Sequence, residues 1–74
     1  MKVTVTNGTE QQHINAPHHM APDDVSAALL DVFDQLESWS IDWLSHVDDG
    51  DVVITLPAAT DMTGVITSIR TALH

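Results

Sequence analysis

Apolar and polar residues alternate in two short segments of the chain. Residues 2–6 read Lys-Val-Thr-Val-Thr and are followed by an Asn-Gly pair, while residues 51–56 read Asp-Val-Val-Ile-Thr-Leu and are followed by a proline. Alternation of β-branched residues between turn-forming residues is typical of strands that bury one face. The pattern therefore predicts a first strand with Val3 and Val5 on one face and a later strand over residues 51–56.

A helical period follows in the first half of the chain. Pro22 opens it, which suits the first helical position, and Asp23 and Asp24 oppose the helix dipole in the first turn. Apolar residues then recur at intervals of three and four, which predicts one buried helix stripe. The stripe consists of Val25, Leu29, Val32, Phe33 and Leu36.

Residues 39–47 fit two patterns. Trp39, Trp43 and Val47 would continue the helical stripe, whereas Trp39, Ile41 and Trp43 also alternate as a strand ahead of residues 48–50, Asp-Asp-Gly. We favour the strand, because three loop residues ending in glycine are typical of a hairpin built on a type I turn with a left-handed glycine.

The end of the chain predicts a second helix, with Thr60 as its N-cap and Asp61 as its first residue. Its apolar side chains are Met62, Val65 or Ile66, Ile69 and Leu73. Residues 8–21 show little periodicity and are interpreted as a long loop. The prediction is a single α+β domain over residues 1–74. Its architecture is a two-layer β-α-β-β-α arrangement, a three-stranded sheet with two helices on one face and the other face uncovered.

Charge narrows the choice of partners. Eleven Asp and Glu residues stand against only Lys2 and Arg70, so the formal net charge is −9 with the histidines neutral. This excess repels nucleic acid and anionic membranes and attracts basic surfaces. The absence of cysteine fits a reducing compartment, and no apolar run approaches the roughly 18 residues of a membrane span. We expect a cytoplasmic protein that binds a basic, nucleic-acid-binding protein, and neither nucleic acid nor membrane directly.

The carboxylates fall into two predicted patches. On a helical projection, acidic residues occupy the side opposite the apolar stripe, and Leu30 lies among them as a candidate apolar anchor. Steps of three and seven residues rise about 4.5 and 10.5 Å along a helix, which bracket the roughly 7 Å between phosphates of a nucleic-acid strand. The predicted partner-binding residues are Asp24, Asp31, Asp34, Glu37 and Leu30 on the helix, with Asp48, Asp49 and Asp51 at the hairpin.

Two interpretations of this acidity compete. An ordinary solvated helix mixes charges of both signs, yet no Lys or Arg lies between Lys2 and Arg70, which favours an inhibitor that mimics nucleic-acid phosphates. In size, charge and lack of cysteine the chain is similar to phage-encoded acidic inhibitors, including anti-CRISPR proteins and DNA mimics; the similarity is one of composition and rests on no motif. The alternative is a structural or interaction domain of a halophile that dimerises through its exposed sheet face.

Other chemistry finds little support in the sequence. His13, His18 and His19 are of a residue type that binds zinc, but the spacing His-x4-His-His matches no helical or turn motif, so we predict no metal site and no cofactor. The serines lack the flanking glycines of a nucleophile elbow, and no phosphate-binding loop is present. We therefore expect a protein without enzymatic activity.

Overall fold

The computed structural model describes residues 1–34, 36–44 and 50–73. Over these ranges the chain has the order β-β-α-β-β-α, which confirms the α+β class. The elements are β1 (Lys2–Thr6), β2 (Gln11–Asn15), α1 (Pro22–Phe33), β3 (Ser40–Leu44), β4 (Asp51–Thr55) and α2 (Met62–Ala72).

The sheet has four strands in the order β2-β1-β4-β3, so the prediction of three strands was wrong. β1 and β4 are parallel neighbours, and each pairs antiparallel with the edge strand next to it. The missed strand, β2, lies inside residues 8–21, which the sequence pattern indicated as a loop. Its register runs from Thr6 opposite Gln11 to Lys2 opposite Asn15. Only Ile14 in β2 is buried, so the strand depends on backbone pairing and carries no apolar alternation.

A tight turn of residues 7–10 connects β1 to β2. Asn7 is the buried first residue of this turn, and its Oδ1 accepts hydrogen bonds from the backbone N–H groups of Thr9 (3.0 Å) and Glu10 (2.8 Å). Gly8 has a φ of 88°, a conformation that favours glycine. The Asn7 side-chain amide also donates to the carbonyl of Thr60 at 3.4 Å, which ties this turn to the segment before α2.

α1 begins as predicted, with Pro22 as its first residue after the N-cap Ala21. It ends earlier than the apolar stripe indicated, at Phe33, with Asp34 as the C-cap. Beyond that point the chain turns back, and the ring of Trp39 packs on Phe33 with centroids 4.9 Å apart. Glu37 therefore lies outside the helix. The prediction that Asp31, Asp34 and Glu37 follow one another along the helix at steps of three residues is wrong.

α2 begins one residue later than predicted. Asp61 is its N-cap and not its first helical residue, because its Oδ1 accepts a hydrogen bond from the backbone N–H of Thr63 at 3.1 Å. The buried residues Met62, Ile66 and Ile69 follow the predicted helical spacing.

The β3–β4 hairpin confirms the strand interpretation of this region. Its connection is longer than predicted, because Leu44 pairs with Asp51 and residues 45–50 join the strands. Gly50 does not adopt the left-handed conformation expected of it, and Gly8 alone among the three glycines, all of which are described, has a positive φ. The rest of this connection, including Asp48 and Asp49, lies outside the described residues.

One hydrophobic core lies between the helices and one face of the sheet. α1 and α2 contact each other, and both bury side chains against the central strands. The strand residues fully buried in this core are Val3, Val5, Val52 and Ile54, which confirms the predicted face of β1. The opposite side of the sheet, here called the open face, has no helix of the described chain packed on it.

Candidate protein-binding surface

The solvent side of α1 carries a cluster that we call the acidic face: Asp23, Asp24, Asp31 and Asp34 around Ala27 and Leu30. All six residues are exposed, while Val25, Leu29 and Phe33 on the opposite side are buried. This division follows from the helical period, because residues three and four apart share a side of the helix. The structure thus brings together the predicted residues Asp24, Asp31, Asp34 and Leu30.

Leu30 is 52% exposed, because it lies on the side of α1 away from the buried residues Leu29 and Phe33. It stands one turn from Asp34 and from Ala27, and Ala27 in turn stands one turn from Asp23 and Asp31. The surface is therefore an apolar centre of a leucine and an alanine with carboxylates around it. Exposed single leucines are common, but the charged surround makes this one resemble the anchor of an interface.

Some carboxylates have structural roles that account for their positions. Asp24 Oδ2 accepts a hydrogen bond at 3.4 Å from the backbone N–H of Ala21, the N-cap of α1. Asp61 is itself the N-cap of α2 and accepts from the backbone N–H of Thr63. Asp51 is half-buried at the start of β4, where its Oδ1 accepts from the backbone N–H of Lys2 at 3.3 Å. These contacts stabilise helix and strand ends, so the positions of Asp24, Asp51 and Asp61 serve the fold itself.

The remaining predicted residues do not join the acidic face. Glu37 is exposed but follows the end of α1. Asp51 lies at the start of β4, in the β3–β4 hairpin. Asp48 and Asp49 fall outside the described residues. The predicted hairpin patch is therefore described only at Asp51, whose hydrogen bond to Lys2 makes it part of the β1–β4 junction.

Sequence reasoning missed the exposed side chains of the edge strand β3. Trp43 is 45% exposed and Leu44 is 49% exposed. The alternating pattern predicted Trp43 as a strand residue that faces the core, and Leu44 was assigned no role. Trp43 pairs with the buried Val52, so it lies on the core side of the sheet but at its margin. Alternation in the sequence correctly indicated the face of Trp43 but carried no signal that β3 is an edge.

The open face of the sheet is largely polar, which bears on the predicted dimerisation through this surface. By strand alternation and register, the aliphatic side chains that the described strands place on this face are Val53 and Leu44. The others are Lys2, Thr4, Thr6, Gln11, His13, Asn15, Ser40, Asp42, Asp51 and Thr55. A face of this composition offers little apolar area to bury, so it provides no physical support for that alternative.

The loop histidines occupy separate environments. His13 lies in β2, and its Nδ1 shares a hydrogen bond of 3.0 Å with the hydroxyl of Thr4 across the β1–β2 pair. His18 and His19 line a cleft of about 420 Å³ beside Met1 and Met20. In the described ranges no three His, Asp or Glu side chains come together as a metal-binding group. The described residues that line this cleft include no carboxylate, serine, threonine or cysteine side chain.

Neither helix of the described chain is long and apolar enough to cross a membrane. Comparison of this chain with known proteins found no matching family model, no matching curated protein and no matching solved structure.

Proposed function

We propose that this protein is a non-enzymatic, cytoplasmic inhibitor that binds the basic surface of a nucleic-acid-binding protein and occupies the site of nucleic-acid phosphates, as anti-CRISPR proteins and other DNA mimics do. The acidic face of α1 makes the contact. Asp23, Asp31 and Asp34 supply charge at its periphery, and Leu30 is the apolar anchor within it.

One observation carries the proposal: the half-exposed Leu30 stands among four exposed aspartates on α1 and its C-cap. Charge that serves solubility alone has no need of an apolar centre, whereas interfaces commonly pair a buried apolar anchor with a charged rim. No lysine or arginine occurs in the sequence between Lys2 and Arg70, so the helix carries no cation of its own to pair with these carboxylates.

The dimensions of α1 support the phosphate-mimic version of the proposal. Asp24 and Asp31 are separated by about 10.5 Å of helix rise, and Asp31 and Asp34 by about 4.5 Å. These rises still bracket the phosphate interval of roughly 7 Å along one strand. The loss of Glu37 from the helix shortens the acidic row to the length of α1, about 18 Å, or two to three phosphates.

The direct test is competition. An Arg-rich peptide is first bound to a fluorescent DNA duplex, and the protein is then added to displace the DNA at several salt concentrations. We expect displacement that weakens steeply as salt rises, because the contact is between opposite charges. The double variant Asp31→Asn/Asp34→Asn should weaken displacement about three- to tenfold more than its control.

The control changes the net charge by the same amount elsewhere. Glu10→Gln/Asp61→Asn removes two charges outside α1, and asparagine is as good an N-cap as aspartate, so the fold is retained. Equal loss in both double variants would show that only total charge matters. A protein that unfolds when salt is removed, with no carboxylate more important than another, would instead support the halophile alternative.

Leu30 gives an independent check. Leu30→Ser should weaken displacement of the DNA with little loss of stability, because the side chain is 52% exposed and does not belong to the hydrophobic core. Displacement that Leu30→Ser leaves unchanged would contradict an interface with an apolar anchor.

A further inference from the structure

β3 is an edge strand with an unusual surface. Within the described ranges it pairs only with β4, so no described strand lies along the other side of its backbone. Two of the three large apolar residues exposed in the described chain, Trp43 and Leu44, are consecutive in this strand. Exposed edges are normally protected by charge, proline, bulges or covering segments, because unpaired N–H and C=O groups can recruit another strand.

The two sides of β3 differ in chemistry. Ile41 and Trp43 pair with Ile54 and Val52, so they lie on the core side of the sheet. Asp42 alternates with them and lies on the open face, where it is exposed. A strand added beside β3 would place apolar side chains next to Ile41 and Trp43, and a side chain on the other face next to Asp42.

Charge identifies the kind of strand that fits. A second copy would bring another chain of net charge −9 and would set aspartate near aspartate when two β3 strands pair about Asp42. A segment that alternates Lys or Arg with aliphatic residues instead places a cation beside Asp42 and its aliphatic side chains beside Ile41 and Trp43. Charge complementarity therefore favours a basic extended segment over self-association.

We propose that the free edge of β3 binds an extended, Lys/Arg-containing segment of the basic partner as a fifth strand, with Asp42 pairing with a cation of that segment and Ile41 and Trp43 packing against its apolar side. The inference rests on the proposed function for the basic character of the partner. It adds a second contact in which main-chain hydrogen bonds provide affinity and the β3 side chains provide selectivity.

The test uses a short synthetic peptide of alternating lysine and valine as the probe, with affinity measured by titration calorimetry and the contact located by NMR. We expect binding by the wild-type protein, with shifts of the Trp43 indole and of β3 amides. A peptide with a central proline should bind at least tenfold more weakly, because proline lacks the N–H that a strand donates. A glutamate–valine peptide should not bind.

Charge reversal at the edge gives the decisive comparison. Asp42→Lys should weaken binding of the lysine–valine peptide about three- to tenfold and should create binding of the glutamate–valine peptide. Glu10→Lys changes the net charge equally beside the opposite edge of the sheet, and it should leave the preference for the lysine–valine peptide intact.

Four results would overturn the inference: equal weakening by Asp42→Lys and Glu10→Lys, undiminished binding of the proline peptide, shifts confined to α1, or a wild-type dimer that dissociates when Trp43 is replaced by threonine. The DNA-displacement assay with the Arg-rich peptide tests the proposed function separately, because it depends on Asp31 and Asp34 and not on Asp42. The β3 contact can therefore be disproved while the proposed function stands. Loss of the β3 contact with retained displacement of DNA would leave the acidic face as the whole interface.

Discussion

The two edge strands of the sheet, β2 and β3, each pair antiparallel with a central strand, but they expose different kinds of side chain. β2 is joined to β1 by a turn rich in hydrogen bonds, has one buried anchor in Ile14 and otherwise exposes Gln, His and Asn side chains. β3 buries no residue fully, yet it exposes Trp43 and Leu44. The β2 edge is thus stabilised by contacts within the fold, whereas the β3 edge leaves the apolar side chains of Trp43 and Leu44 exposed to solvent.

This difference shows that an edge strand need not be amphipathic to form. β2 has almost no apolar pattern but pairs along its whole length with β1, because Asn7 and Gly8 fix the turn and the register. β3 has the clearer alternation of apolar residues, but its side chains are less buried than Ile14 of β2. An edge strand can therefore be polar where backbone pairing and a turn hold it in place, and another can carry apolar side chains that stay largely exposed.

The largest expected difference between the edges concerns their apolar anchors. Ile14→Ala should lower the free energy of unfolding by about 2–4 kcal/mol, because Ile14 is buried in the core and its truncation leaves a cavity. Ile41→Ala should cost about 1–2 kcal/mol, since Ile41 is only partly buried. Urea unfolding monitored by tryptophan fluorescence measures both. Equal costs would mean that β3 is as firmly anchored as β2.

A smaller loss is expected at the β1–β2 turn. Asn7→Ala removes the acceptor of two backbone N–H groups and should cost about 2 kcal/mol. Amide hydrogen exchange should then increase in β2 before it increases in β4, because the turn fixes the register of β2. Gly8→Ala, which strains a positive φ, should cost about 1 kcal/mol. Unchanged exchange in β2 after Asn7→Ala would show that pairing with β1 alone holds this edge.

The smallest expected change in stability concerns His13 on β2 and Asp42 on β3, two side chains on the open face. His13→Ala removes the partner of the buried Thr4 hydroxyl and should cost about 1 kcal/mol. Asp42→Ala, at the corresponding open-face position of the other edge, should change stability by less than about 0.5 kcal/mol. Thermal unfolding of the two variants under the same buffer conditions compares them. A larger loss at Asp42 would assign that carboxylate to the fold and weaken its proposed part in binding.

The same reasoning explains which features of the fold could be predicted. β1, β4, the β3–β4 pairing and both helices carry apolar residues at a clear period, and each was predicted near its observed position. β2 was missed because Ile14 is its only buried residue, although Asn7-Gly8 is itself a hairpin signal. The end of α1 was missed because Leu36 and Trp39 continue the helical period in sequence while the chain has already turned back onto Phe33.

The sequence also predicted only part of the candidate site. Helical spacing was enough to place Asp24, Leu30 and Asp31 on one exposed side, because that side is fixed once the buried stripe is known. It could not show that Glu37 leaves the helix. Nor could it show that Trp43 stands half-exposed, because strand order is not encoded in local alternation and the edge position follows only from how four strands assemble.

The sequence by itself determined the charge excess, the α+β class, the core faces of most elements and the aspartates around Leu30, because each depends on composition or on a period of a few residues. The tertiary structure decided the fourth strand, the length of the acidic row and the exposure of β3. These depend on contacts between residues distant in the chain, where backbone pairing and the Phe33–Trp39 contact outweigh local pattern. The acidity could be predicted from composition, whereas the exposure of Trp43 and Leu44 on an edge strand became apparent only in the assembled sheet.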